Sequence, residues 1–106
     1  MAESEIEAIG EYLKKNQFVI TDHARREMKN DGISVDDIVF GCADGELIED
    51  YPTAHPLPAC LILGRTLDGR PLHVCLSKPP LVKIITVYVP TPNRWESDWK
   101  TRKVVK

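Results

Sequence analysis

The fold of this chain is decided by a stretch in its second half: CLILGRT at Cys60–Thr66, LDGR at Leu67–Arg70 and PLHVCL at Pro71–Leu76. The Asp-Gly pair in the middle segment is typical of tight hairpin turns, because glycine adopts positive φ angles without steric cost. Both flanking segments are rich in apolar residues, as strands of a packed sheet are. The stretch therefore predicts an antiparallel β-hairpin.

Two further segments extend the predicted sheet. Glu46–Tyr51 (ELIEDY) precedes the hairpin, and Leu81–Val89 (LVKIITVYV) follows it as the longest apolar, β-branched segment. Prolines follow Tyr51, precede Leu81 and follow Val89. Proline has no N–H to give to a strand ladder, so these positions mark loops. The second half of the chain thus predicts a roughly four-stranded antiparallel sheet.

The first half of the chain has a helical period. Apolar residues within Glu3–Lys15 lie on one helical face, and a second helix is expected from Thr21 or Asp22 to about Lys29. A third helix is expected after Ser34, because a serine followed three residues later by an acid resembles a capping box.

Helices followed by hairpin-linked strands predict an α+β fold, with the N-terminal helices packed on one face of the sheet. A length of 106 residues is usual for one domain, so we expect a single domain over residues 1–106. Phe18–Ile20 is a short extended segment. The tail is expected to begin as a short helix that packs Trp95 and Trp99 on the sheet.

Composition indicates a cytosolic protein. No apolar run approaches the roughly 20 residues that a membrane span needs, and the acidic N-terminus lacks the basic start and apolar core of a secretion signal. The three cysteines, Cys42, Cys60 and Cys75, have no Cys-x-x-Cys spacing, which disfavours a disulfide scaffold. We expect buried thiols, a cytoplasmic location and no membrane partner.

Charge is divided unevenly along the chain. Residues 1–53 carry 13 acidic and 5 basic side chains, whereas residues 54–106 carry 3 acidic and 9 basic ones. A basic half can mark an anion-binding surface. The plainer alternative is that the acidic half is only the solvated surface of the helices.

One candidate catalytic group lies at the start of the second helix. His23 and Arg26 are three residues apart, which places them on the same side of a helix. Imidazole titrates near neutral pH, and guanidinium pairs with phosphate through two donors. The pair suits proton transfer beside a phosphate. The alternative is that His23 only caps the helix or packs at its edge.

A second candidate group lies on the predicted sheet. His73 is in the middle of one hairpin strand, Arg65 and Arg70 flank the turn, and Tyr88 lies near the end of the last strand. A histidine, arginines and a tyrosine at one end of a sheet could hold a phosphodiester and move protons. Cross-strand pairing, solvated charge and packing are the alternatives.

Metal and nucleotide cofactors are not expected. His55 and Cys60 are close in sequence, but no recognised zinc spacing is present. The chain has no Gly-x-Gly-x-x-Gly or Walker-type loop and no Gly-x-Ser-x-Gly elbow.

Several short motifs, taken in order, resemble the bacterial family called domain of unknown function 4258, over about residues 20–95. The motifs are Thr21-Asp22-His23-Ala24 with Met28, Gly32-Ile33-Ser34, Gly45 to Pro52, Leu61 to Gly64, Gly69 to Val74, Ile84 to Tyr88, and Trp95. That family is in turn similar to the RelE-type and BrnT-type toxins.

The resemblance implies a metal-independent ribonuclease, in which the ribose 2′-hydroxyl attacks the adjacent phosphate, and a small antitoxin protein as partner. On this hypothesis His23 is the general acid or base, and Arg26 and Arg65 contact phosphate. His73 and Tyr88 assist proton transfer or base stacking.

The chain departs from the family pattern at two positions where arginine is common, Glu27 and Asp31. Two other hypotheses therefore stand beside the enzyme. One is a non-catalytic interaction module whose acidic face binds a protein. The other is a degenerate toxin that keeps the fold without activity. The enzyme requires His23, Arg26 and His73 to converge on one concave, positive surface.

Overall fold

The computed structural model describes residues 5–104 and contains three helices and five strands. In chain order these elements are α1 (Glu5–Lys14), β1 (Val19–Ile20), α2 (Asp22–Asp31), α3 (Val35–Ala43), β2 (Glu46–Tyr51), β3 (Ala59–Arg65), β4 (Pro71–Ser77) and β5 (Lys83–Tyr88). The predicted α+β class is confirmed. Each helix in this part of the chain is too short and too polar to cross a bilayer.

The sheet has the strand order β1-β5-β4-β3-β2. Strands β2 to β5 pair antiparallel with their neighbours, as predicted. The two-residue strand β1 adds a fifth, parallel member, so that the sheet is mixed. The Val19 amide donates to the Val82 carbonyl oxygen at 3.1 Å, and the Thr21 amide donates to Ile84 at 3.1 Å. A segment this short has no periodicity by which sequence could assign it to the sheet.

The helix starts are those that the sequence predicts. The Thr21 hydroxyl accepts the Ala24 amide at the start of α2, and Ser34 and Asp37 form a reciprocal capping box at the start of α3. Helix α2 ends at Gly32, which has φ +64° and suits the left-handed conformation. These caps satisfy amide and carbonyl groups that helix ends otherwise leave without partners.

The core lies between the helices and one face of the sheet. Alternate residues of the strands face α1, α2 and α3. The largest fully buried aliphatic side chains of this core are Ile9, Leu13, Ile38, Ile62, Leu72, Leu76 and Ile84. Helix α3 approaches β3 closely because Gly41 and Gly64 meet there without side chains. A Cβ atom on Gly64 would overlap the carbonyl oxygen of Gly41.

The hairpin turn also fixes the helices. Arg70 donates from Nη1 to the Asp31 carbonyl at 2.7 Å and from Nη2 to the Gly32 carbonyl at 3.0 Å, so it caps the C-terminus of α2. The carboxylate of Asp37 accepts the Leu67 amide at 2.8 Å. Arg70 therefore has a structural role in this fold.

The helix predicted at the start of the tail is wrong. From residue 91 to 104 the chain forms turns and one isolated antiparallel bridge between Trp95 and Arg102. Trp99 has φ +61°, which is incompatible with an α-helix. Trp95 is nevertheless buried, as expected. The tail crosses the sheet face that the helices leave open.

Candidate functional site

The candidate site is on this second face of the sheet. Leu63, His73 and Tyr88 are in register across β3, β4 and β5. They alternate with the residues that pack against the helices, so their side chains point to the opposite face. Thr86 lies two residues before Tyr88 in β5 and shares that face. The predicted pair His73 and Tyr88 is thus brought together.

His73 is fully buried, and both its ring nitrogens have partners. Nε2 lies 2.7 Å from the Trp99 carbonyl oxygen, and Nδ1 lies 3.2 Å from the Tyr88 hydroxyl. A carbonyl only accepts, so Nε2 carries the hydrogen and neutral Nδ1 accepts from the hydroxyl. Burial lowers the pKa of His73, more than the Trp99 carbonyl raises it. The ring is neutral and out of a substrate's reach, so His73 does not join His23 and Arg26 on an open surface, and its predicted role in proton transfer with the substrate is wrong.

Tyr88 connects this buried histidine to the surface. It is partly buried, and burial raises the pKa of its hydroxyl. The hydroxyl remains protonated at neutral pH and donates its hydrogen to His73, which leaves its oxygen able to accept a further hydrogen bond. The His73 ring also meets Trp95 edge-on, with 4.4 Å between centroids.

An ion pair holds the tail in place beside these rings. Arg102 donates from Nε to Glu49 at 2.8 Å and from Nη2 at 3.0 Å, a bidentate contact. The guanidinium carbon lies 4.7 Å from the centroid of Trp95, which is cation–π geometry. The hydrogen bonds from Arg102 hold the pKa of Glu49 below its usual value, and Tyr51 also donates to Glu49.

An open cleft of about 340 Å³ lies where the tail leaves the sheet. Its lining is mixed in character and consists of Tyr88, Val89, Thr91, Arg94, Trp95 and Arg102. Arg94 is exposed, and within residues 5–104 its guanidinium has no hydrogen-bond or ion-pair partner. The cleft therefore contains the guanidinium of Arg94, which has no partner within residues 5–104, and that of Arg102, which is fixed on the Trp95 ring.

His23 lies at the edge of the same face. Its side chain is 62% exposed, and its Nε2 lies 3.3 Å from Oε1 of Glu27, one helical turn later. The same carboxylate accepts from the Thr86 hydroxyl and, at 3.1 Å, from the Val87 amide. Glu27 thus fixes His23 against β5. This carboxylate links His23 to Thr86, and Thr86 shares the face that carries Tyr88.

Glu27 and Asp31, the two positions where the resemblance led us to expect arginine, have a common structural role. Val87 and Val89 have amides at an edge of β5 that β1 does not reach. Glu27 accepts the first, and Asp31 accepts the second at 3.2 Å. The carboxylates therefore pair strand-edge amides that would otherwise have no partner.

The predicted phosphate-binding arginines lie apart. Arg26 is exposed, and its position three residues after His23 puts it on the same side of α2. Arg65 is the last residue of β3, where its Nη1 lies 3.3 Å from the Gly69 carbonyl and where it lines a different cleft with Phe40. Arg65 is thus not assembled with His23.

Two further observations limit the chemistry that the described residues can supply. Among residues 5–104 no group of three or more His, Cys, Asp or Glu side chains is arranged to bind a metal ion. Cys42 and Cys60 are buried, and burial raises the pKa of each thiol to about 12, which disfavours the reactive thiolate.

Sequence reasoning missed Glu49, Arg94 and Arg102. Their roles depend on the tail crossing the sheet, and no local pattern in the sequence indicates that contact. The one available signal was the tryptophan-rich, basic composition of the tail, which indicated that it packs on the sheet.

Comparison with known proteins gives one match. The family model described as domain of unknown function (DUF4258) matches residues 20–89, from the last residue of β1 to the residue after β5. No curated protein matches the chain, and no solved structure does. The matched region contains His23, His73 and Tyr88, whereas the tail that bears Arg94 lies beyond it. The chain therefore belongs to the DUF4258 family.

Proposed function

We propose that this protein is a metal-independent endoribonuclease of the toxin type. The observation that carries the proposal is the His23–Glu27 pair, which presents an exposed imidazole at the edge of the face that bears Tyr88. The cleft beside Tyr88 adds the guanidinium groups of Arg94 and Arg102. An imidazole, a phenol and guanidinium groups are sufficient for cleavage of RNA by its own 2′-hydroxyl.

In this reaction His23 acts as the general base. Because Glu27 accepts a hydrogen bond from Nε2, the neutral ring has its lone pair on Nδ1. Nδ1 takes the proton of the 2′-hydroxyl, the 2′ oxygen bonds to the adjacent phosphorus, and the bond from phosphorus to the 5′ oxygen breaks. Solvent protonates the leaving oxygen, and Arg26 stabilises the charge on the phosphate. The products are a cyclic phosphate and a 5′-hydroxyl.

His73 acts only through Tyr88 in this proposal. Its ring is buried, and both nitrogens are used within the protein. It fixes the orientation of the Tyr88 hydroxyl, whose oxygen accepts a hydrogen bond from the 2′-hydroxyl of the nucleotide next to the one that reacts. Arg65 has no part, because its guanidinium contacts the hairpin turn and it lines a different cleft.

The test is incubation of the purified protein with a mixed RNA pool in EDTA. Replacing a general base typically costs at least about 100-fold, so His23→Ala should reduce cleavage by that much. Arg26→Ala should reduce it about tenfold. Arg25→Ala is the matched control, because Arg25 is exposed on the far side of α2. Cleavage by wild type that His23→Ala retains would contradict the proposal, as would the absence of cleavage by folded wild type.

One observation favours a second candidate, the non-catalytic interaction module. A groove of about 390 Å³ borders β1, and two of its aliphatic residues, Val19 and Leu81, are 58% and 65% exposed. Exposed apolar surface of this kind is typical of binding sites for partner proteins, such as a small antitoxin. If folded wild type leaves RNA intact, this candidate and the degenerate toxin replace the enzyme.

A further inference from the structure

The cleft at Tyr88 contains guanidinium groups that take no part in the bond-making and bond-breaking steps proposed for His23 and Arg26. Arg94 lies on its rim with no partner among the described residues, although the neighbouring cation Arg102 is fully engaged with Glu49. Thr91 adds a hydroxyl. A guanidinium that has no partner within residues 5–104 is available for a ligand.

The chemistry of the lining indicates what this ligand is. Guanidinium groups bind phosphate oxygens through paired donors, which suits Arg94. Arg102 lies on the Trp95 ring, so one of its faces is covered, while its side chain as a whole is 59% exposed. Unpaired RNA bases stack on aromatic rings and on arginine planes of this kind. A volume of about 340 Å³ is at the small end of ligand pockets.

We propose that this cleft binds a single unpaired nucleotide of RNA, with its phosphate on Arg94 and its base against Arg102. The inference rests on the proposed function only in taking RNA as the substrate. A duplex keeps its bases stacked and paired, so it has no base to place in a cleft of this size. The site therefore selects single-stranded RNA, at a position next to the bond that is cut.

Binding is measured apart from cleavage by using an uncleavable ligand. A short, unstructured, fluorescein-labelled RNA with 2′-O-methyl riboses is titrated with the full-length protein in EDTA, and fluorescence anisotropy is followed. Three further ligands are compared with it: a duplex of the same sequence, an abasic strand of the same length, and inorganic phosphate as a competitor.

Arg94→Ala should weaken binding of the single strand about tenfold, because it removes a hydrogen-bonded charge. Arg25→Ala, which removes the same charge from the far side of α2, should weaken it less than about twofold. The duplex and the abasic strand should each bind at least about tenfold more weakly than the single strand. Inorganic phosphate at the same concentration should not displace the strand.

Several results would overturn the inference: no binding, equal losses in Arg94→Ala and Arg25→Ala, or equal affinity for the duplex or the abasic strand. Displacement by inorganic phosphate would also overturn it, since the cleft would then recognise the phosphate alone. Arg94-dependent binding by a protein that leaves ordinary RNA intact would support the subsite and reject the nuclease. Cleavage of ordinary RNA that is independent of Arg94 would support the nuclease and reject the subsite.

Discussion

His73 Nε2 lies 2.7 Å from the carbonyl oxygen of Trp99, a contact that ties the C-terminal tail to the middle of the sheet. It fixes the tautomer of the ring and, through it, the direction of the Tyr88 hydroxyl. A buried polar group destabilises a folded protein unless its hydrogen bonds are made. Both ring nitrogens of the buried His73 have partners. The contact between His73 and Trp99 therefore contributes both to the stability of the protein and to the geometry of the proposed site.

Replacing this histidine should destabilise the protein strongly. His73→Leu removes two buried hydrogen bonds and leaves the Trp99 carbonyl without its partner, so the free energy of unfolding should fall by about 2–4 kcal/mol. Urea denaturation followed by circular dichroism measures the change. The exposed residue His55 provides a control, because His55→Gln should change stability by less than about 0.5 kcal/mol. A similarly small effect of His73→Leu would show that the tail does not depend on this contact.

Stability should also depend on pH through His73. Burial lowers its pKa in the folded protein below the usual value of 6.5. As the pH falls through about 6.5 the unfolded chain binds a proton at this residue while the folded protein does not, so the free energy of unfolding falls, by at most about 1.4 kcal/mol per pH unit. The contribution of His73 to stability is complete above pH 6.5, and it decreases as the pH falls toward the pKa that His73 has in the folded protein.

The measurement is the difference in unfolding free energy between wild type and His73→Leu from pH 7.5 down to 5. The other titrating groups are present in both proteins, so their contributions cancel in this difference. The difference should shrink as the pH falls. A difference that is constant or grows would mean that the folded protein binds the proton as readily as the unfolded chain.

The carboxylates at the edge of β5 should protect specific amides. Glu27→Ala should speed hydrogen exchange at Val87, and Asp31→Ala should speed it at Val89, each by about tenfold, because each removes the acceptor of that amide. Each variant is the control for the other. Exchange is followed residue by residue by NMR. Val87 and Val89 amides that exchange at the wild-type rate in their respective variants would show that these bonds do not persist in solution.

The two variants also separate stability from chemistry. Both should lower the free energy of unfolding by about 1–2 kcal/mol, whereas only Glu27→Ala should reduce RNA cleavage, since only Glu27 contacts His23.

Replacing each of two glycines by alanine should change the thermal stability in opposite directions. Gly64→Ala should lower the midpoint of thermal unfolding, because its Cβ overlaps the Gly41 carbonyl, and the cost should be about 1–3 kcal/mol. Gly10→Ala should raise it, because Gly10 lies inside α1 and a Cβ there meets no atom within 4 Å; the gain is about 0.5–1 kcal/mol. Thermal melts of both variants give the result. A stable Gly64→Ala protein would mean that α3 can move away from β3.

Part of the candidate site could be predicted because it follows from local pattern. Strand alternation puts His73 and Tyr88 near one another, and helical spacing puts Arg26 on the side of His23. The role of Glu27 could not be predicted, because it depends on how α2 lies along β5. Its departure from the family pattern suggested lost phosphate binding, whereas in the structure it holds the histidine and a strand edge.

The sequence by itself determined the elements whose signals are local: the Asp-Gly turn, the capping box at Ser34, the glycine that ends α2, and the strands flanking the hairpin. Each is decided by steric and hydrogen-bonding preferences within a few residues. Only the tertiary structure decided that Val19–Ile20 joins the sheet, that Arg65 lies away from the site, and that the tail covers His73. These depend on contacts between distant segments, whose energies are set by shape and burial and not by neighbouring residues.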